Sequence, residues 1–343
     1  MKPFDPSAAA QEGSGIYGLP HTEDDARVVV VPVPFDATTS YRRGAAGGPA
    51  AVLRASRQVD LYDREVGRPY EAGIYLQPEA TLLAALNEDG RAAADPILAA
   101  GGAEDGNAEH QHLLTRVNGI SEAVNKWVYD ATARLLDKGK MAVILGGDHA
   151  VPFGAIQAYA ERHPGLGVLH IDAHADLRDA YEGFTYSHAS VMHNVATRIP
   201  AVGRLVQVGI RDFSEDEARF AEASGGRIQT FYDVDLARGR FEGEPFARQV
   251  ERIVAALPQE VYVSFDIDGL DPAFCPHTGT PVPGGLHFHE ASYLVGAVVR
   301  SGRRIVGVDL NEVAPGPDGD DWDGNVGARL LYKLIGWALL SGR

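Results

Sequence analysis

Three short segments gather carboxylates and imidazoles: Gly146-Gly147-Asp148-His149, Asp172-Ala173-His174-Ala175-Asp176, and Asp266-Ile267-Asp268-Gly269-Leu270-Asp271-Pro272. Each follows a continuous apolar run, Met141–Leu145, Gly167–Ile171 and Val261–Phe265. On an extended backbone a spacing of two sends side chains to one side, so Asp172 goes with His174, and Asp266 with Asp268. Asp176 returns toward them after one turn. A single Asp behind a strand is ordinarily the cap of the next helix. Three such clusters brought together are a different matter, because four carboxylates and two imidazoles do not stay ionised and unpaired. Two divalent cations would balance the four aspartate charges, which makes a binuclear site the simplest arrangement. The donors are oxygen and nitrogen without sulfur, a set suited to Mn²⁺, Ni²⁺ or Co²⁺. Two such ions lower the pKa of a shared water from about 15.7 toward neutrality and supply a hydroxide nucleophile. The spacing leaves the reaction itself open.

These segments need a scaffold that brings three strand ends together. The runs Val28–Pro34, Met141–Leu145, Gly167–Asp172, Leu205–Ile210, Val261–Asp266 and Ile305–Leu310 are continuous rather than alternating, as in strands buried on both faces. Between them lie helical patterns, such as Val117, Ile120, Val124, Val128 and Leu135, and near the end Leu330, Leu331, Leu334, Ile335 and Ala338. Gly48-Pro49 marks a helix start. Alternating strands and helices imply an α/β fold with a mostly parallel sheet covered on both faces, and ligands bind beyond the carboxyl ends of its strands. Residues 1–25 read as an irregular arm and 26–343 as one catalytic domain. The Ala-, Gly- and acid-rich stretch 78–109 shows weak periodicity and reads as an insertion or long loop.

At these residues the sequence resembles the ureohydrolase (arginase–agmatinase) family. Gly-Gly-Asp-His at 146–149, Asp-Ala-His-Ala-Asp at 172–176 and Ser-Phe-Asp-Ile-Asp-Gly-Leu-Asp-Pro at 264–272 look like its three signatures, followed by Gly279-Thr280-Pro281 and Gly284-Gly285. The resemblance implies a three-layer α/β/α sandwich assembled as a homotrimer or homohexamer. It implies one metal on His149, Asp172, Asp176 and Asp266, and a second on Asp172, His174, Asp266 and Asp268. Asp176 would also relay the proton of the bridging hydroxide. His188 matches a proton-shuttling histidine, with an ordinary surface histidine as the alternative, and Glu312 matches the carboxylate that grips the guanidinium. The implied activity is hydrolysis of a small cationic guanidino compound to urea and ammonia or an amine, with Mn²⁺ or Ni²⁺.

Departures from the family pattern bear on the substrate. Arg178 and Phe184 stand where the arginase branch recognises an amino-acid head, so a cationic amino acid is disfavoured. Ala150 replaces a usual hydroxyl residue. The long form resembles a branch labelled agmatinase that includes nickel-dependent guanidine hydrolases. The arm and the aromatic residues of Tyr181–Tyr186 would narrow the pocket, which favours free guanidine over agmatine or a guanidino acid. An acidic stretch, Asp318–Asp323, reads as a cation-attracting entrance or a solvated turn. His170, His277, His287, His289 and Cys275 read as structural, and Thr280 as either a support for the ligands or a turn hydroxyl. A non-catalytic metal-binding subunit is the competing class; a dinuclear phosphoesterase lacks its ligand cluster and a phosphate cradle.

Composition bounds the partners. With 31 Lys+Arg against 47 Asp+Glu, the net charge of −16 argues against nucleic acid or an anionic membrane. No run approaches about 18 uninterrupted apolar residues, and the beginning lacks a secretory pattern. A lone cysteine forms no internal disulfide, and the expected location is the cytoplasm.

Overall fold

The computed structural model describes residues 4–342 apart from residue 12, so positions 1–3 and 12 of the expected arm, and residue 343, lie outside it. Among the described residues eight strands make one sheet: β1 (Val28–Val33), β2 (Ile74–Leu76), β3 (Met141–Gly146), β4 (Leu166–Ile171), β5 (Val202–Ile210), β6 (Ile228–Tyr232), β7 (Glu260–Asp266) and β8 (Arg304–Asn311). Their order is β2-β1-β3-β8-β7-β4-β5-β6, and every pairing is parallel. The six apolar runs are six of these strands. Both edges, β2 and β6, escape that reading because they carry no continuous buried run; in β6 only Ile228 is buried.

Period-two alternation divides the core. Val28, Val30, Val143, Leu145, Val261 and Val263 face one side, while Val29, Val31, Ala142, Ile144 and Val168 face the other. The first side is covered by α1 (Gly48–Ser56), α7 (Asp233–Phe241), α8 (Phe246–Ala255), α9 (Phe288–Arg300) and α10 (Trp322–Ser341). The second carries α2 (Thr81–Ala99), α3 (Ala108–Asp137), α4 (Phe153–Arg162), α5 (Val191–Arg198) and α6 (Glu215–Ala223). The result is the expected α/β/α sandwich. Among the described residues, no helix is long and apolar enough to cross a membrane.

One expectation needs correction. Most of 78–109 is not a loop, because Thr81–Ala99 forms the 19-residue helix α2. Its alanines and leucines favour helix, but its buried face is made largely of Gly90, Ala93 and Ala94, so it lacks the large apolar repeat that reveals amphipathicity. The arm, although irregular, is anchored. Ile16, Tyr17 and Leu19 are buried, the Tyr17 hydroxyl donates to the Ala328 carbonyl at 3.0 Å, and its backbone N–H donates to Ser56 Oγ at 2.9 Å.

Candidate metal centre

The six candidate ligands all sit at carboxyl ends of central strands. His149 lies three residues beyond β3, Asp172 follows β4, Asp266 ends β7, and Asp268 lies in the helical turn Ile267–Gly269. Asp176 reaches the cluster through a left-handed backbone, φ 55°, as does Glu312 with φ 62° just beyond β8. Such conformations cost about 1–3 kcal/mol each and persist where the surroundings over-determine them. Gly147 is required by packing, since a Cβ there would collide with the Phe35 carbonyl.

His149 Nδ1 stands 2.8 Å from Asp172, 3.3 Å from Asp266 and 3.5 Å from Asp176. His174 Nδ1 stands 3.1 Å from Asp268 and 3.5 Å from Asp172. Asp172 thus belongs to two adjacent groups of donors, one with His149, His170 and Asp176 and one with His174 and Asp268, each spanning no more than 4.8 Å.

The network behind His149 fixes its tautomer. Ser264 donates its only proton to Asp309 at 3.0 Å, so its oxygen accepts from His149 Nε2–H at 2.9 Å. Nδ1 is then the ring nitrogen that faces three carboxylates, holding a proton there or, with a cation between them, offering its lone pair. His170 behaves differently. The Gln207 amide nitrogen donates to the Ala175 carbonyl and to His170 Nδ1, so His170 Nε2 carries the proton and donates to Asp172 at 2.8 Å. His170 is the satisfied core histidine expected, and it also orients a shared ligand.

Without cations the charges conflict, as the proton affinities show. Burial alone would lower the His149 pKa, but Asp172 and Asp266 hold it well above the usual range. His174 is likewise raised by Asp268 and Asp172 against the effect of burial. Burial and then Asp172 push Asp176 up; burial and then Asp268 do the same for Asp266. Asp172 goes the other way: against burial, His170 and its histidine hydrogen bonds lower it. A buried acid cluster that must hold protons to balance its charge is a fitting cradle for divalent ions.

Glu312 lies against this cluster. Its Oε1 accepts the His149 backbone N–H at 2.9 Å, while Oε2 is buried without a partner among the described residues. Burial, Asp266 and Asp148 raise its carboxyl well above the ordinary range. His188 opens the turn before α5, with its ring edge-on to Tyr181 and Nδ1 buried and unpartnered; burial, then His174, lowers its pKa to about 4. All eight residues singled out in the sequence therefore converge. Thr280 donates to Asp268 at 3.4 Å, whereas His277 is bound to Asp323 at 2.9 Å and His287 caps α9. Sequence reasoning passed over Ser264 and Asp309. The signal was available, since Asp309 is a charged residue inside the apolar run 305–310.

The chain matches the arginase family over residues 26–336. It is 36% identical over 315 residues to the N(1)-aminopropylagmatine ureohydrolase of Thermus thermophilus, covering 91% of this chain and 90% of that one. The chain belongs to the arginase family. It is also 30% identical to the agmatinase of Bacillus anthracis, over 92% of this chain and 93% of that one. Its fold is like that of proclavaminate amidino hydrolase from Streptomyces clavuligerus, with TM-score 0.74, 24% identity, and 98% and 100% of the two chains covered. As a ureohydrolase of this family, the protein is a hydrolase of amidine C–N bonds.

The side-chain positions support the expected narrowing of its pocket at Tyr181 alone. Phe184 is buried among Ala93, Ala94, Ile97 and Val117 of α2 and α3. Tyr186 packs on Phe153 and under Arg198, and the arm lies against α1 and α10. Only Tyr181 of that aromatic group touches His188. Arg178 is engaged by Glu217 at 3.6 Å and lies over the Tyr181 ring.

Proposed function

We propose that this chain is a binuclear-metal ureohydrolase of an agmatine-type substrate, a guanidinium carried on an amine chain. Agmatine would yield putrescine and urea. The observation that carries the reading is the free, buried Oε2 of Glu312 beside a cluster of aspartates around two histidine Nδ1 atoms. The choice of an amine-bearing tail rests on the relatives named N(1)-aminopropylagmatine ureohydrolase and agmatinase. Free guanidine loses most of the support drawn from a narrow pocket, because the arm, Phe184 and Tyr186 pack elsewhere and only Tyr181 of the aromatic group meets His188.

In this reading His149, Asp172, Asp176 and Asp266 hold one ion, and Asp172, His174, Asp266 and Asp268 hold the other. The donor chemistry suits Mn²⁺ or Ni²⁺. Bound there, two ions would supply an activated water at neutral pH. Glu312 orients the planar cation by charge-assisted hydrogen bonds. Asp176, beside the ions, would relay the proton of the activated water to the departing nitrogen. His188, whose ring stands edge-on to Tyr181, accepts and returns protons. The chain works as a homotrimer or homohexamer in the cytoplasm.

The test is urea release from N(1)-aminopropylagmatine, agmatine, 4-guanidinobutyrate and guanidine by protein loaded separately with Mn²⁺ and Ni²⁺. Preference for either of the first two supports the proposal. Turnover confined to guanidine or the guanidino acid would overturn the substrate choice, and no urea from any compound would overturn the activity. Because the assay uses the chain alone, it also separates an enzyme from a non-catalytic subunit.

A further inference from the structure

The loop from β1 to α1 forms a second wall in front of Glu312, and it is held with unusual firmness. Asp36 is fully buried; it accepts from Arg91 Nε at 2.6 Å and from the backbone N–H groups of Gly44 and Ala46 at 3.2 and 3.1 Å. Its own N–H donates to Asn87 Oδ1 at 2.8 Å. Asn87 and Arg91 both belong to α2, and Gly90 between them lets α2 approach Ala37. Thr38 donates to Asp148 at 3.4 Å, and Arg42 Nη1 donates to the Pro276 carbonyl at 3.3 Å, tying the loop to the segment after β7.

That segment presents Gly279. A Cβ on Gly279 would stand 3.2 Å from the Arg42 carbonyl oxygen, 3.4 Å from Glu312 Oε2 and 3.8 Å from Thr39 Cγ2. Among the described residues the Arg42 carbonyl accepts no hydrogen bond. Glu312 Oε2 and Thr39 Oγ1 are both buried without partners. Leaving buried polar atoms unsatisfied costs their full desolvation, so Glu312 Oε2 and Thr39 Oγ1, on two residues that both border Gly279, call for a hydrogen-bond partner. A guanidinium offers only N–H donors, in one plane.

We propose that Thr39, the Arg42 carbonyl and Gly279 complete, with Glu312, the slot that receives one edge of the substrate guanidinium. Glu312 supplies the charge. The Arg42 carbonyl and the Thr39 hydroxyl accept the remaining N–H groups, and the lack of a side chain at Gly279 keeps a Cβ from crowding the Arg42 carbonyl and Glu312. The inference rests on the ureohydrolase reading but concerns residues outside the metal ligands.

Thr39→Val, Thr39→Ser and Gly279→Ala, each metal-loaded, test it through three readouts: metal content, calorimetric titration with guanidinium chloride, and KM and kcat for agmatine. Thr39→Val should retain two ions per chain while guanidinium binding weakens and KM rises by roughly 5–30-fold, the span of one or two lost hydrogen-bond energies. Thr39→Ser should restore most of that loss, and Gly279→Ala should act in the same direction as Thr39→Val. Unchanged guanidinium affinity and KM in Thr39→Val would overturn the slot, as would loss of its metals, which would make Thr39 a purely structural residue. A wild-type chain that hydrolyses no guanidino compound overturns the functional reading instead; its guanidinium titration still decides the slot.

Discussion

The two walls of the site are built in opposite ways. The metal-side wall is made of residues at most three positions beyond a strand end, or one turn further, and its parts are local in sequence. The opposite wall, 36–44, owes its shape to α2, whose Asn87 and Arg91 reach Asp36 across 51 and 55 positions. Charge is concentrated in short motifs because chemistry needs donors a few ångströms apart. Shape is distributed because a loop is rigid only where distant elements satisfy its backbone. Perturbing each wall should therefore damage different quantities.

The largest effect belongs to the shared ligand. Asp172→Asn removes the carboxylate common to both donor groups, and metal affinity should fall by more than about 100-fold, beyond the range for a supporting residue, with loss of turnover. Elemental analysis after gel filtration checks this; two ions retained per chain would refute the ligand assignment. Next comes the support behind His149. Ser264→Ala deletes the acceptor that keeps the proton on Nε2, so metal affinity should drop about 10–100-fold in a folded protein. Equal affinity in mutant and wild type would show that the tautomer is set by something else.

The same contrast explains what could be read from the sequence. His149, Asp172, His174, Asp176, Asp266 and Asp268 were legible because polar clusters at the ends of apolar runs are conspicuous, and the runs themselves gave the six central strands. The edge strands β2 and β6 were not legible, because half-exposed strands carry no buried run. α2 was missed because helices that pack through glycine and alanine leave no periodic signature. Thr39 could not be singled out, since a threonine among Thr38, Thr39 and Ser40 gains meaning only when its hydroxyl is seen buried and unpartnered. The aromatic residues misled for the converse reason: proximity to His188 in sequence suggested a crowded pocket, but Phe184 faces α2 and α3.

On the distributed wall, Asn87→Ala leaves the buried Asp36 N–H without its acceptor. It should destabilise the protein by about 1–3 kcal/mol and raise KM, with metal content unchanged. Denaturant unfolding and elemental analysis read the two parts separately. Metal loss in Asn87→Ala would mean that the two walls are not independent.

The smallest effect lies where neither wall is involved. Glu23, in the arm, pairs with Arg134 and accepts from Lys138 at 2.9 Å and Gln77 at 2.6 Å, which ties the arm to α3. The Arg134 hydrogen bond, opposed by modest burial and aided by Lys138 and Gln77, lowers its pKa from 4.5 to about 2. A carboxylate depressed in the folded state adds stability above its unfolded pKa and loses it as pH falls through its folded one. The contribution is thus full above about pH 4.5 and fades toward pH 2. Because the pair is largely solvated, it is worth about 1 kcal/mol or less. Glu23→Gln should therefore melt slightly below wild type at pH 7, converge with it by about pH 2, and leave metal content and KM unchanged. A shift in KM would connect the arm to the site after all, through α3 rather than across the pocket mouth.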